Sequence, residues 1–215
     1  MAFTSAFNGA ALTDLNGFDG WVVDEGDGFM LLDGSGGVYS AQPAIATPRC
    51  SHVGGEPYAS ITATIQPGQY LILMVETFAP GTSPAVRFGG WGATFSRVGG
   101  TDYVEVGNAP PSAGGGTNSS TPSPVPIPFG ESATYGVSYE RSTGTVRAFI
   151  DGVEAHSFVV PFPDAADGPD QSWSGFFIGG EPDDPGQPTT VTSFTGGDGG
   201  PVDPGPTDPS GWILC

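Results

Sequence analysis

The sequence predicts an all-β protein, one sandwich of antiparallel strands, and three observations carry that expectation. Between Ala133 and Val160 three apolar alternations follow one another with short polar turns between them. From Tyr58 to Val75 a strictly alternating stretch is followed by one that is apolar on both faces. No segment of a dozen residues keeps a helical stripe, because Gly, Pro or β-branched residues interrupt each candidate. A chain of 215 residues is long enough for one such sandwich with a sizeable core.

Taken in order, the first forty residues offer Phe3, Phe7, Leu12, Leu15 and Phe18, then short strands at Trp21–Val23, Phe29–Leu32 and Val38–Tyr39. Asp24, Glu25, Asp27 and Asp33 cluster between them. Their spacing lacks the closing bidentate Glu of a calcium loop, so they read as turn carboxylates, and neither metal nor cofactor is expected. From Tyr58 to Ile65, Ala59, Ile61, Ala63 and Ile65 share one face and Ser60, Thr62 and Thr64 the other. Pro67-Gly68 turns the chain into Y-L-I-L-M-V, Tyr70 to Val75, whose two apolar faces predict a central strand covered on both sides. Val86 to Val98 reads as strand, glycine bend and strand, and Tyr103 to Val106 as the next. Asn108 to Pro128, dense in Pro and holding Gly114 to Gly116, reads as a loop and as neither strand nor helix.

In the meander, Tyr135, Val137 and Tyr139 form the first apolar face, and Arg141-Ser142-Thr143-Gly144 supplies a turn. Val146, Ala148 and Ile150 follow, and Asp151-Gly152 suits a two-residue hairpin into Val153, Ala155, Ser157 and Val159. Pro161 to Ser172 reads as a polar loop, Trp173 to Ile178 as an aromatic strand and Thr189 to Phe194 as the last strand. The sandwich therefore takes residues 1–195. Residues 196–211, G-G-D-G-G-P-V-D-P-G-P-T-D-P-S-G, read as a linker. Residues 212–215 end it with Trp212, Ile213 and Leu214, an apolar anchor peptide for a pocket on another chain.

The formal charge of -18 sets 23 acidic residues against five arginines and no lysine. Such a surface repels phosphate, so nucleic acid and anionic membrane are not expected partners. No run of 18 apolar residues offers a membrane helix. The opening M-A-F-T-S-A-F-N-G-A lacks the basic and apolar regions of a secretory signal, so folding in a cytoplasm is expected, with Cys50 and Cys215 as free thiols.

Catalytic patterns are sparse. A glycosidase needs two carboxyl groups about one sugar bond, whereas Glu76, Glu105, Glu140 and Glu154 each stand alone in their strands. His52 and His156 lie near no nucleophile motif, and no phosphate loop or Cys/His metal spacing occurs. The reading is a non-enzymatic chain. Trp21, Trp91, Trp173, Tyr103 and Tyr139 are rings on which a sugar can stack; most sit inside strand alternations and read as core, and Trp91 and Tyr103 are the candidates for glycan stacking.

The string Y-G-V-S-Y-E-R-S-T-G-T-V-R-A-F-I-D-G-V resembles the strand, turn, strand and Asp-Gly hairpin of concanavalin A-like (laminin G-like) jelly rolls. The opening F-N-G-A-A-L-T-D-L-N-G-F-D-G-W and the strand Y-A-S-I-T-A-T-I resemble the amino-terminal part of such domains in tailed phages of actinobacteria, often as minor tail proteins. This resemblance implies a two-sheet antiparallel jelly-roll sandwich and a virion location, assembled in the host cytoplasm. Together with the apolar terminus it gives the reading of a structural minor tail protein, a homo-oligomer in the particle, docked on other virion proteins, tail or capsid subunits, through its C-terminus. A head (capsid) decoration protein and a carbohydrate-binding host-adhesion module, meeting host-surface glycan, are the alternatives.

Overall fold

A computed structural model describes residues 3–24, 29–40, 44–48, 57–77, 90–108, 118–160, 173–184 and 186–198. Its strands are β1 (Phe3–Ser5), β2 (Trp21–Asp24), β3 (Met30–Leu32), β4 (Val38–Ser40), β5 (Ala44–Pro48), β6 (Pro57–Thr64), β7 (Gln69–Thr77) and β8 (Trp91–Val98). They continue with β9 (Thr101–Asn108), β10 (Asn118–Pro122), β11 (Ser132–Glu140), β12 (Thr145–Ile150), β13 (Val153–Val159), β14 (Trp173–Gly180) and β15 (Thr190–Asp198). A single 3-10 turn, Phe18–Gly20, is the one helical element among the described residues, and none is long and apolar enough to cross a membrane.

The strands form two antiparallel sheets. The first runs β13-β12-β11-β6-β15-β4-β3, with β1 added on β15, and the second runs β10-β9-β8-β7-β14-β5-β2. Alternation decides what each sheet buries. Ala59, Ile61 and Ala63 of β6 and Tyr135, Val137 and Tyr139 of β11 face Leu71, Leu73 and Val75 of β7 and Ala93 and Phe95 of β8 in one core. At its centre Trp21 meets Phe3, Phe7, Phe176 and Phe194 with ring centroids 5.1 to 5.6 Å apart, in tilted or edge-on geometries that aromatic quadrupoles favour. β7 is covered on both sides, as its two apolar faces predict, with Ile72 and Met74 in a second cluster against Tyr70 and Phe177.

Each end of the sandwich is closed by an arginine and an acid. At one end Arg97 donates to Asp102 at 2.6 Å and lies 4.2 Å over the Phe129 ring, while Asp102 also accepts the Ile127 N–H at 2.9 Å. This clamp seats buried Ile127. Burial pushes the Asp102 carboxyl up, yet the Arg97 and Ile127 hydrogen bonds outweigh it and hold it below its ordinary value. At the other end alternation along β7 would put Glu76 beside Met74 on the outer face. Its backbone is left-handed, φ 52°, and the buried carboxylate accepts from Nε and Nη2 of Arg141 in the β11–β12 turn of the opposite sheet.

Several expectations change. The segment read as loop from Asn108 to Pro128 contains β10, which pairs residue for residue with β9 from Asn118↔Gly107 to Pro122↔Tyr103. Its one proline, Pro122, stands at an edge, where one side of the strand needs no ladder bonds. Gly196, Gly197 and Asp198, read as the start of the linker, belong to β15 and pair with Ala59, Tyr58 and Pro57. β1 and β5 carry no distinctive pattern and were not foreseen. Asp33 is a turn residue, accepting the N–H groups of Ser35 and Gly37 at 2.6 and 2.9 Å. The rest of the linker, the anchor residues Trp212, Ile213 and Leu214, and Glu25, Asp27, Cys50, His52 and Cys215 lie outside the described residues.

Candidate functional site on the outer face of the second sheet

On β7 the residues between the core positions point outward, and strand register sets their neighbours. One row crosses all seven strands of the sheet: Ser120, Glu105, Thr94, Ile72, Phe177, Ile45 and Asp24. Towards the Glu76 end the next row holds Gly107, Gly92, Met74 and Gly175, all buried, Met74 to 1% exposure. Towards the Arg97 end the face opens. There Tyr103 pairs with Ser96 and Pro122, and Tyr70 pairs with Gly179.

The open part consists of Tyr70, Phe177, Thr94, Ser96, Tyr103 and Glu105, each partly exposed. Tyr70 and Phe177 form a tilted pair with centroids 5.9 Å apart. Gly179 is its floor, since a Cβ there would collide with both rings. Tyr103 stands two strands from Tyr70, roughly 10 Å away at ordinary strand spacing. Between them lie the hydroxyls of Thr94 and Ser96. Burial pushes the Tyr70 hydroxyl above its ordinary pKa, so it is a neutral hydrogen-bonding group at any working pH. The Glu105 carboxylate makes no hydrogen bond or ion pair among the described residues.

The sequence-predicted residues divide. Tyr103 lies on this open face. Trp91 does not: it is 3% exposed and packed on Tyr139 with centroids 5.1 Å apart, which leaves no ring face for a sugar. Its position just after Gly90 starts β8 with the side chain turned into the core. Tyr70, Phe177 and Glu105 were missed as site residues. Tyr70 and Phe177 looked like ordinary strand aromatics, although the repeat of Phe177 and Gly179 two apart on one strand face is a signal for a ring lying over bare backbone.

The remaining candidate groups are scattered. Glu140 and Glu154 lie in the first sheet against Arg147, at 2.9 and 3.6 Å. His156 Nε2 sits 3.1 Å from both the carbonyl oxygen and Oγ of Ser119, linking edge strand β13 to edge strand β10. Among the described residues no three His, Cys, Asp or Glu side chains gather as metal ligands.

No protein-family model matches the sequence, and no curated protein matches it. Solved structures do. An endo-1,3-beta-glucanase from Streptomyces sioyaensis is similar at TM-score 0.59 and 16% identity, over 92% of this chain and 96% of that one. A beta-glucanase of Bacillus licheniformis is similar at 0.53 and 10%, over 92% and 98%. A lectin from Bauhinia forficata in complex with GalNAc is similar at 0.52 and 13%, over 91% and 96%. The expectation of a non-enzymatic chain is overturned here, because two of these three are glucanases. Isolated carboxylates in a sequence do not set a sandwich of this architecture apart from catalysis, since strand pairing can join what sequence separates. The chain has the concanavalin A-like jelly-roll fold that glucanases and lectins share.

Proposed function

We propose that this chain is a carbohydrate-binding sandwich carried on a tailed-phage particle, meeting host-surface glycan with the open part of its second sheet. The observation that carries the reading is the Tyr70–Phe177 pair over Gly179, with Tyr103, Thr94, Ser96 and Glu105 beside it. Partly exposed rings grouped on an outer sheet face support a ligand. A sugar offers C–H faces to such rings and hydroxyls to the polar groups between them. The glucanases and the GalNAc-bound lectin of like fold support carbohydrate as the ligand class.

The virion placement rests on the sequence resemblance, with a minor tail protein as the reading and head decoration as its rival. Docking on tail or capsid subunits through Trp212, Ile213 and Leu214 belongs to the same proposal. A glycan array with the full chain at millimolar sugar tests the first part. Binding that disappears in the Tyr70→Ala, Tyr103→Ala double variant with an unchanged far-UV spectrum is expected; a silent array, or binding indifferent to both substitutions, ends the reading. Deleting residues 211–215 should abolish incorporation into particles, and unaltered incorporation removes the anchor.

A further inference from the structure

We infer that the glycan this face selects carries free amino groups, as a glucosamine polymer does, in preference to a neutral glucan or one bearing carboxylate or phosphate. The inference rests on the glycan-binding reading and adds the charge of the ligand. All three described arginines are committed to acids: Arg97 to Asp102 at 2.6 Å, Arg141 to Glu76, and Arg147 to Glu140 and Glu154. The sequence has no lysine and a net charge of -18. An anionic glycan would therefore meet like charge with no described cation free to receive it.

Glu105 supplies the positive selection. It is partly exposed, stands between Ser120 and Thr94 in the long row, and is two residues along β9 from Tyr103 on the same face. Unlike Asp102, Glu140 and Glu154, it has no arginine partner among the described residues. A sugar ring lying on Tyr103 would place substituents over β8 and β9, where a protonated amine finds the Glu105 carboxylate. The tyrosine face also attracts a cation. A neutral hydroxyl at the same place would accept only part of that interaction.

The test is calorimetric titration of the full chain, Glu105→Gln and Glu154→Gln with four hexamers: glucosamine, N-acetylglucosamine, β-1,3-linked glucose and galacturonate. Glucosamine hexamer should bind most tightly, and galacturonate hexamer most weakly. Glu105→Gln should weaken glucosamine hexamer by about fivefold, the scale of one partly exposed ion pair, while Glu154→Gln, on the other sheet, leaves it unchanged. Equal losses in the two variants would mean diffuse attraction to the net charge and would overturn the inference. A preference for the glucose hexamer that Glu105→Gln does not alter would overturn it too, leaving the glycan-binding reading intact. Binding of none of the four would take both down.

Discussion

The two outer faces of the sandwich each lay a tyrosine over a glycine, and the surroundings make them different surfaces. On the first sheet Tyr58 crosses Gly136, with its hydroxyl 3.1 Å from where a Cβ would be. Around it register sets hydroxyls in rows: Ser132, Thr64 and Thr190, then Thr134, Thr62 and Ser193, then Ser60 and Thr195 beside Gly136. At that side Glu140 and Glu154 both pair with Arg147. On the second sheet Tyr70 crosses Gly179 and meets a second ring, Phe177, near Glu105, whose carboxylate has no partner among the described residues. Threonine and serine are what a solvated strand face ordinarily carries. Paired aromatics beside an acid with no described partner are not, and that difference supports the proposed site on the second face.

The largest effect erases the comparison altogether. Trp21→Ala removes the ring between both sheets, and its loss should cost about 3–5 kcal/mol, read as a fall in the urea midpoint; a loss under about 1 kcal/mol would mean that the aromatic centre is not what joins the two faces. Next, Arg141→Ala leaves the Glu76 carboxylate buried without its arginine. About 3 kcal/mol of destabilisation is expected, larger than for Arg147→Ala, whose acids are exposed enough to be hydrated.

Gly179→Ala acts on the second face alone. The added methyl displaces Tyr70 and Phe177, so sugar binding should fall at least about tenfold, for about 1–3 kcal/mol of stability as in other overpacked sites; retained binding would separate the rings from the function. The Asp102 clamp beside Tyr103 gives a pH test. Its carboxyl is held below the ordinary value by Arg97 and Ile127 against the opposing effect of burial. A depressed folded pKa contributes stability that is present above the unfolded value, about 3.9, and is lost as pH falls through the folded value. Asp102→Asn should therefore flatten the acid limb of the stability profile below about pH 4 and leave its shape near neutrality unchanged. Smallest of all, Thr62→Val on the first face should change stability by less than about 0.5 kcal/mol and sugar binding not at all, measured on the same array.

Much of the fold was legible because period-two patterns do not depend on distant partners. β6, β7 and the β11–β13 meander were read at nearly their observed bounds, and the inward set Ala59, Ile61, Ala63 and Ile65 is buried as expected. β10 was hidden, since its N-S-S-T-P has neither apolar alternation nor β-branched density and becomes a strand only where β9 offers an edge. The end of β15 was hidden for a like reason: glycines that read as linker are paired by β6.

Alternation along the chain determined that this protein is a stack of antiparallel strands and, in β6, β7 up to Val75 and the first strand of the meander, which side chains turn inward, because both are consequences of backbone pleat. Only the tertiary structure decided which outward residues stand side by side. Tyr70, Glu105 and Phe177 come from strands far apart in sequence and share one face through register, while Trp91, as aromatic as any of them, is drawn inside against Tyr139. Lateral order between strands is a property of the folded sheet, and it is there that a binding surface is made.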